Sequence, residues 1–544
     1  MQEQAQTQAQ AQAQTQEHAQ MLLAQAQEQA QTQAQEQAQT HVQTQMLLAG
    51  LDIGTTGCKI TVYRPDGECL GRVYKDYPHA LSSSEHEVDA RLIWEAVKGM
   101  LAEAAAKWPG IGGIGVTSFG ESFVMLDAGG SHLHNAILYT DTRGADECGR
   151  LCAALGRENI ANITGLNPHP MYSISKLMWL KAQRPELYEK AVRICLMEDF
   201  AVFMLTGTPQ IDYALASRTM AFDIRKLAWS DEVLSAAGIS KSLLPKAVPA
   251  GTCAGTVKPD LAKSLGLRTD VLVVSAGHDQ VAAAVGSGVF DEGVAVDGAG
   301  TVECITPVFS KIPEGGAMDV MMDGGYSIVP HAVPGKYVCY AFSFTGGGAV
   351  DWFSNNLAGY AAADAAKAGT SLYYQLEGGT PLDGPTGLLV LPHFAGAATP
   401  YMDYGSKAAI VGLTLSTTQR DIFCAIMEGV CYEMRFNMDR LKDAGIRFDS
   451  LRATGGGANS KVWMQMKADV LNVPVAAMRA SEAGGAGAAM MAGVACGIYP
   501  DLRDAARMTV SERETFLPRS AAHERYSAAY EKFKKLYAAV RPLV

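Results

Sequence analysis

The chain has 544 residues, enough for several domains, and a formal net charge of -11 at pH 7. This acidic balance argues against general nucleic-acid binding, which needs a basic surface, and an anionic substrate would need a metal ion or local cations to offset the field. No apolar run is long enough to span a bilayer, no secretory signal is present and the eleven cysteines are dispersed, so we expect a reduced, cytoplasmic protein without a membrane partner.

Residues 1–45 consist mainly of Gln, Ala, Glu and Thr repeats. Alternating Ala and Gln put no apolar stripe on a helix, so this segment can form transient helix but no packed core. We interpret it as a low-complexity, solvated tail ahead of a natural start at Met46. An interaction module is the less favoured alternative.

The apolar run 46–51 predicts a buried strand that ends at Asp52 and is followed by the polar turn 54–57 and by Lys59. A carboxylate at the end of a buried strand is costly unless something pairs with it. A second strand begins at once, so the pattern predicts a hairpin that binds an anion together with a metal. It is not a Walker loop, because no helix follows and the GxxxxGK[ST] spacing is absent.

The rest of the chain alternates between strand-like and helical patterns, which predicts an α/β fold with sheets covered by helices. The clearest predicted strands are 111–117, 271–276, 388–391 and 451–454, and the clearest predicted helices are 90–107 and 418–443.

Residues 293–301 repeat the order of the first hairpin: an apolar strand, Asp297, a glycine-rich turn with Thr301, and then a second strand. Two such hairpins predict two similar lobes, 46–290 and 291–544, that face one nucleotide.

Residues 271–284 read as a strand, a turn and a helix of small residues, with Asp279 at the junction. A carboxylate there either caps the helix or serves as a general base whose pKa is raised by partial burial. The residues alone leave these two interpretations evenly balanced. His278 is a rival base.

Three glycine-rich stretches follow strands or open helices. Residues 455–457 exceed what a tight turn needs, and the following helix start offers free N–H donors to a ligand. For 484–489 and 346–348 we favour close helix packing, although Gly347 is kept as a candidate phosphate contact.

The order and spacing of these motifs resemble the FGGY family of carbohydrate kinases, which includes xylulose, ribulose, gluconate and glycerol kinases. The likeness covers about residues 46–520. It implies two actin/hexokinase-like (ribonuclease H-like) lobes that close on ATP and a sugar or polyol. The matching motifs are Asp52-Ile53-Gly54-Thr55-Thr56 with Lys59, Gly277-His278-Asp279-Gln280, Asp297-Gly298-Ala299-Gly300-Thr301 and Thr454-Gly455-Gly456-Gly457-Ala458-Asn459-Ser460.

The resemblance also implies a role for each matching residue. Asp52 would hold magnesium (Mg²⁺) through water, and Asp279 would be the catalytic base. The phosphate-loop and nucleotide-side candidates are Thr55, Thr56, Lys59, Gly300, Thr301, Gly347, Gly456, Gly457 and Asn459. The acceptor-side candidates are Glu121, Tyr139, Asp141 and Gln280.

Departures from the family pattern bear on the substrate. Glu121 falls where glycerol kinases have glutamate and xylulokinases have histidine. Glu121, Asp141 and Asp279 would form an acidic pocket, which suits a neutral polyol or ketose whose hydroxyls donate hydrogen bonds. We therefore expect ATP-dependent phosphorylation of a ketopentose such as xylulose, with ribulose, another ketose or a polyol as the alternatives.

Two other functions use the same fold. A sugar or nucleotide sensor would not need to keep both Asp52 and Asp279, and an ATPase without a sugar acceptor would not need the acceptor-side residues. A dinucleotide dehydrogenase is disfavoured, because no GxGxxG follows a first strand. Related kinases are often dimers, which leaves a homodimer as one open oligomeric state.

Overall fold

The computed structural model describes Met1 and residues 46–78, 80–81, 86–378, 382–480 and 482–544. The chain divides into two units, Met1–Met46 and Leu47–Val544, and all the elements named below belong to the second. The predicted tail lies, apart from Met1, outside the described residues. In the part of the chain that is described, no helix is both long and apolar enough to cross a membrane.

The strands, in chain order, are β1 (Leu47–Ile53), β2 (Gly57–Tyr63), β3 (Cys69–Asp76), β4 (Ala80–Leu81), β5 (His86–Val88), β6 (Ile111–Ser118), β7 (Phe123–Leu126), β8 (Ala136–Ile137), β9 (Arg193–Leu196), β10 (Gln210–Asp212), β11 (Phe222–Asp223), β12 (Ala228–Trp229), β13 (Lys246–Val248), β14 (Thr252–Thr256), β15 (Leu272–His278), β16 (Gly293–Ala299), β17 (Glu303–Phe309), β18 (Ser327–Pro330), β19 (Tyr337–Ser343), β20 (Leu389–Leu391), β21 (Ala409–Val411), β22 (Phe448–Thr454), β23 (Val475–Met478) and β24 (Glu512–Phe516).

The helices are α1 (Ala90–Lys107), α2 (Ala145–Leu155), α3 (Arg157–Thr164), α4 (Ser173–Gln183), α5 (Pro185–Tyr188), α6 (Met197–Thr206), α7 (Tyr213–Ser217), α8 (Asp231–Ala237), α9 (Pro259–Leu265), α10 (Asp279–Gly286), α11 (Gly316–Asp323), α12 (Gly347–Asn356), α13 (Gly359–Ala368), α14 (Leu372–Glu377), α15 (Gln419–Asp443), α16 (Lys461–Leu471), α17 (Ala483–Ala495), α18 (Leu502–Thr509), α19 (Ser520–Phe533) and α20 (Leu536–Val540). Single 3₁₀ turns occupy Lys241–Leu243, Gly457–Asn459 and Arg541–Leu543.

The first large sheet has the strand order β14-β15-β6-β1-β2-β3. Strands β1, β2 and β3 form an antiparallel meander, whereas β6 pairs with β1, and β15 with β6, in parallel. The carboxyl ends of β1, β6 and β15 therefore meet at one edge of the sheet, where ligands of α/β proteins commonly bind.

The second large sheet repeats this arrangement in the order β18-β19-β17-β16-β22-β23-β24. Strands β16, β17 and β19 form the meander, and β22 and β23 extend it in parallel. The internal repeat predicted from the two hairpins is confirmed. The division near residue 290 stays a prediction, which the change of sheet between β15 and β16 supports.

Helix α17 connects the two halves of the chain. It follows β23 of the second sheet in sequence, but it packs on α10 and on β1 and β6 of the first sheet. Glycines make this approach possible. A Cβ built on Gly50 would lie 1.8 Å from the backbone oxygen of Gly485, and one on Gly115 would lie 2.0 Å from that of Ala488. The prediction of close packing for residues 484–489 is confirmed.

Local capping fixes where the two longest helices begin. The Asp89 side chain accepts the N–H of Arg91 at the start of α1. Thr418 and Asp421 form a reciprocal capping box at the start of α15. Both helices have the predicted bounds within one residue, since capping signals are local in sequence.

Candidate active site

The first hairpin places Asp52 on β1 directly opposite Lys59 on β2. Nζ of Lys59 lies 3.2 Å from Oδ2 of Asp52 and 2.6 Å from Oε2 of Glu482, which precedes α17. Burial raises the pKa of Asp52, and Lys59 opposes that effect only in part. Desolvation disfavours the charged form of Lys59, but the two carboxylates outweigh it and raise the Lys59 pKa. The partner that the buried carboxylate required is therefore Lys59.

The turn of this hairpin leaves backbone donors free. The N–H of Gly54 donates to the carbonyl oxygen of Gly57 at 2.9 Å, and the Tyr77 hydroxyl donates to the Gly54 carbonyl. In the described residues, the backbone N–H groups of Thr55 and Thr56 donate to no protein acceptor. Such unpaired donors on a tight turn are suited to phosphate oxygens.

The second hairpin is supported from outside by the glycines before and within α12. The N–H of Gly347 donates to the Gly300 carbonyl at 2.8 Å, and the N–H of Gly346 donates to the Thr301 carbonyl at 2.9 Å. A Cβ on Gly347 would lie 2.8 Å from the Gly300 oxygen. This geometry matches the packing alternative for Gly347, whose role as a nucleotide contact stays a prediction.

A buried ion network that the sequence analysis missed lies beneath the second hairpin. Nζ of Lys467, on α16, is 2.6 Å from Oδ2 of Asp297 and also pairs with Glu303. Desolvation opposes the Lys467 charge, but the two carboxylates raise its pKa overall. The members of this network come from β16, β17 and α16, so no local pattern in the sequence indicated the network.

The glycine loop after β22 is shaped for close approach. Gly455 has φ 87°, and a Cβ on Gly457 would lie 3.0 Å from the last residue of β16. A Cβ on Gly456 would meet nothing within 4 Å, so this position faces open space. The Oδ1 atom of Asn459 already accepts a hydrogen bond from Nη1 of Arg513 at 2.6 Å, which orients its amide.

Asp279 is the first residue of α10, and its carboxylate is only partly enclosed. Its side chain is 34% exposed, whereas its Oδ1 atom is buried and has no hydrogen-bond partner among the described residues. Desolvation raises the pKa of Asp279 to about 7; the Asp52 charge adds to the shift and the backbone N–H of Gln280 opposes it. Such a value suits a base that works near neutral pH.

His278, the rival base, caps α10 instead. Its Nδ1 accepts the backbone N–H of Gln280 at 3.4 Å and lies 3.0 Å from the Tyr340 hydroxyl, and its ring stacks on Tyr340. Burial holds the His278 pKa well below its ordinary value. The imidazole is therefore neutral and structurally engaged. The Gln280 side chain follows Asp279 on α10 and is half-buried.

The two acidic residues from different elements meet at α17. A Cβ built on Gly484 would lie 3.5 Å from Oδ2 of Asp52 and 3.7 Å from the backbone oxygen of Asp279. The structure thus brings the end of β1 and the start of α10 to the same residue of α17, each within ordinary van der Waals distance of a Cβ built there.

On the acceptor side, Glu121 is buried and is held by an arginine that the sequence analysis did not select. Nε of Arg218 donates to Oε1 of Glu121 at 2.6 Å, and Nη2 contacts the same oxygen. Glu121 adopts a left-handed conformation, with φ 64°, and its carbonyl accepts the Ser173 hydroxyl at 2.6 Å.

Tyr139 and Asp141, which are also acceptor-side candidates, differ in their availability to a ligand. Burial raises the pKa of Tyr139, and the carboxylates of Glu121 and Asp279 add to the shift, so this phenol lies within their field. Asp141 is occupied: it accepts hydrogen bonds from Nε and Nη2 of Arg143 and from the first backbone N–H of β5. Two of the three carboxylates of the predicted pocket, those of Glu121 and Asp141, are each paired with an arginine. The pocket is therefore less acidic than the sequence alone predicts.

The donor set fits magnesium and a nucleoside triphosphate. Within the described residues, no group of three or more His, Cys, Asp or Glu side chains is placed to hold a metal by itself. Magnesium in phosphoryl-transfer sites is held by one or two carboxylates together with substrate phosphates and water, so Asp52, with Glu482 nearby, suffices. The free N–H groups of the hairpin turn provide the matching anion cradle.

Comparison with known proteins matches both halves of this chain to one family. Residues 46–286 match the N-terminal domain, and residues 318–496 the C-terminal domain, of the FGGY family of carbohydrate kinases.

Individual relatives cover nearly the whole chain. The xylulose kinase of Bacillus subtilis (strain 168) is 25% identical, over 91% of this chain and 97% of its own. The glycerol kinase of Symbiobacterium thermophilum is 31% identical, over 87% of this chain and 94% of its own. The crystal structure of the xylulose kinase from Rhodospirillum rubrum superimposes with a TM-score of 0.79 at 26% identity and covers 91% of this chain and 99% of its own.

Proposed function

Because the chain belongs to the FGGY family of carbohydrate kinases, it is a phosphotransferase, and we propose that it uses ATP to phosphorylate a hydroxyl of a small neutral sugar. A ketopentose such as xylulose is the first candidate acceptor. The observation that carries the proposal is the meeting of Asp52 and Asp279 at Gly484, with the pKa of Asp279 raised to about 7.

Each proposed role follows from the contacts above. Asp52 holds Mg²⁺, which when bound neutralises charge on the phosphates. Lys59, which lies between Asp52 and Glu482, moves to the phosphate oxygens when the nucleotide arrives. The N–H groups of the turn residues contact the same oxygens, since phosphoryl transfer depends on positioning and charge stabilisation. The residues proposed for these turn contacts are Thr55, Thr56 and Thr301. The N–H of Gly300 already donates to the carbonyl oxygens of Gly298 and Val302 at 3.0 and 3.1 Å, so the role of Gly300 as a phosphate contact stays a prediction.

The nucleoside is proposed to lie along the glycine loop after β22, at Gly456, Gly457 and Asn459. The open space at Gly456 supports this placement.

Asp279 accepts the proton of the attacking hydroxyl. The hydroxyl oxygen forms a bond to the γ-phosphorus while the bond from that phosphorus to the ADP oxygen breaks. Glu121, Tyr139 and Gln280 orient the acceptor. Asp141 acts indirectly, because its hydrogen bonds to Arg143 hold the loop that carries Tyr139.

Glycerol or a related polyol is the second candidate acceptor. Glu121 occupies the position where glycerol kinases have glutamate, and the 31% identity to a glycerol kinase favours the same class. A sensor that binds the same ligands without turnover is the alternative from a different class.

The test is acceptor-dependent ADP release over a panel of xylulose, ribulose, glycerol and gluconate, with and without ATP and Mg²⁺. We expect turnover with a neutral acceptor, and at least about a hundredfold loss of kcat in Asp279→Asn with ATP binding retained.

The matched control is Asp270→Asn, a change of the exposed carboxylate that pairs with Arg268 ahead of β15, which should leave kcat unchanged. Near wild-type turnover by Asp279→Asn would refute the assignment of the base. Binding of ATP and acceptor without any ADP release by the wild type would favour the sensor.

A further inference from the structure

Arg218 is an enclosed guanidinium with no role in the reaction described so far. It follows α7, is 5% exposed, and lies between the rings of Tyr172 and Tyr340, with its Cζ atom 5.3 and 5.4 Å from their centroids. A planar cation between two aromatic rings keeps one orientation.

Its hydrogen bonding is incomplete. Nε and Nη2 both contact Oε1 of Glu121, whereas Nη1 is buried and finds no partner among the described residues. An unpaired donor on a buried cation is costly. The second carboxylate oxygen of Glu121, Oε2, likewise accepts no hydrogen bond from the residues the structure describes. Among the described residues, the pair therefore keeps one unused donor, Nη1 of Arg218, and one unused acceptor, Oε2 of Glu121.

The pair lies next to the proposed base. A Cβ built on Gly120 would lie 2.9 Å from Cγ of Arg218 and 3.1 Å from Cδ2 of His278, and Nδ1 of that histidine is 3.2 Å from Oδ1 of Asp279. Arg218 and Asp279 thus flank one imidazole ring. An acceptor that contacts both needs a separate oxygen for each.

We propose, on the basis of the proposed kinase function, that Arg218 determines acceptor specificity. Its Nη1 donates a hydrogen bond to an uncharged oxygen on the carbon next to the phosphorylated hydroxyl. Oε2 of Glu121 accepts a hydrogen bond from the acceptor. The substrate class is a vicinal diol or an α-hydroxyketone. Glu121 already neutralises Arg218, so the remaining carboxylate of Asp279 disfavours an acceptor that carries its own negative charge.

The test compares two acceptors that differ by one oxygen. The first pair is glycerol and 1,3-propanediol. If xylulose is the better substrate, the pair is xylulose and the analogue that lacks the oxygen on the carbon beside the phosphorylated hydroxyl. We expect the wild type to prefer the complete acceptor by at least about a hundredfold in kcat/KM. Arg218→Lys should lower kcat/KM for the complete acceptor at least about tenfold, with little change for the analogue and for the KM of ATP.

Two further variants separate specificity from folding. Arg218→Gln combined with Glu121→Gln removes both charges together, so no buried charge is left unpaired, and it should lower the preference by at least about tenfold, as Arg218→Lys does. Arg519→Lys is the matched control, because Arg519 contacts the buried Asp469 through Nε and Nη2 at 3.1 and 2.7 Å, and it should keep the wild-type preference.

The outcomes distinguish the two proposals. No acceptor-dependent ADP release by the wild type would overturn the proposed function and this inference with it. Turnover in which both Arg218 variants keep the wild-type preference, or lose activity equally on both acceptors, would overturn the inference alone.

Discussion

The raised pKa of Asp279 results from the position of this residue at the start of α10. Its Oδ1 atom is buried without a hydrogen-bond partner among the described residues, and the carboxylates of Asp52 and Glu121 raise its pKa further. The Gln280 N–H and the Arg218 charge oppose this shift. The histidine beside it is neutral, so its ring adds no countercharge. Together these effects raise the pKa of Asp279 to about 7, well above that of an ordinary aspartate.

This titration predicts an acid limb in the rate profile. A protonated Asp279 cannot accept the proton of the hydroxyl, so kcat/KM for the acceptor should be full above pH 7 and fall about tenfold per unit below it. The measurement is kcat/KM from about pH 5 to about 9 at saturating ATP and Mg²⁺. A limb near pH 4, the ordinary value for aspartate, would contradict the assigned environment.

At the level of elements, helix α17 is the part on which the site depends most. Its glycines and alanines let it approach α10, β1 and β6 at backbone contact distance, and Gly484 lies between Asp52 and Asp279. The position of α10, and with it that of Asp279, is therefore set by a helix about 200 residues further along the chain.

Adding one methyl group at this contact should separate the two helices. A Cβ on Gly487 would lie 1.9 Å from the backbone oxygen of Ala282 in α10. We expect Gly487→Ala to lower the free energy of unfolding by about 1–3 kcal/mol and to reduce kcat, because α10 must shift. Urea unfolding and steady-state kinetics measure both effects.

The control for that substitution is Gly149→Ala in α2, where a Cβ would meet nothing within 4 Å. An alanine there should stabilise the helix by up to about 1 kcal/mol and leave kcat unchanged. Equal effects of the two substitutions would show that the contact between α10 and α17 does not constrain the site.

Over the whole molecule, two sheets of the same topology each present a hairpin followed by parallel strands. The first hairpin carries the Asp52–Lys59 pair on its two strands, and the second is anchored by Lys467 through Asp297 and Glu303. The two hairpins therefore share one backbone arrangement but place their charged side chains differently. The first hairpin leaves the carboxylate of Asp52 near the site, whereas the carboxylates of Asp297 and Glu303 are buried beneath the second hairpin.

The low-complexity segment 1–45 is the part of the chain for which the sequence predicts no packed core. Its composition offers no apolar stripe and no residue assigned to the site. We expect a chain that starts at Met46 to keep the kcat and both KM values of the full chain, measured by ADP release at matched concentrations. A large loss of kcat in the shortened chain would show that the segment contributes to catalysis.

Local signals in the sequence were sufficient for the bounds of the two longest helices and for the repeated hairpin. Capping residues and periodicity fixed the ends of α1 and α15, since both act within a few residues. The repeated hairpin pattern predicted two similar sheets. The requirement for a cation beside Asp52 was met by Lys59, which is close in sequence because a hairpin places its two strands side by side.

The tertiary structure alone decided the pairs between distant segments. Arg218 reaches Glu121 from 97 residues away, and Lys467 reaches Asp297 from 170 residues away. Neither pair leaves a local pattern, because a contact between elements depends on how sheets and helices pack and not on neighbouring residues. The same packing brings Asp52 and Asp279 to Gly484 and so determines where the proposed base, metal and acceptor can meet.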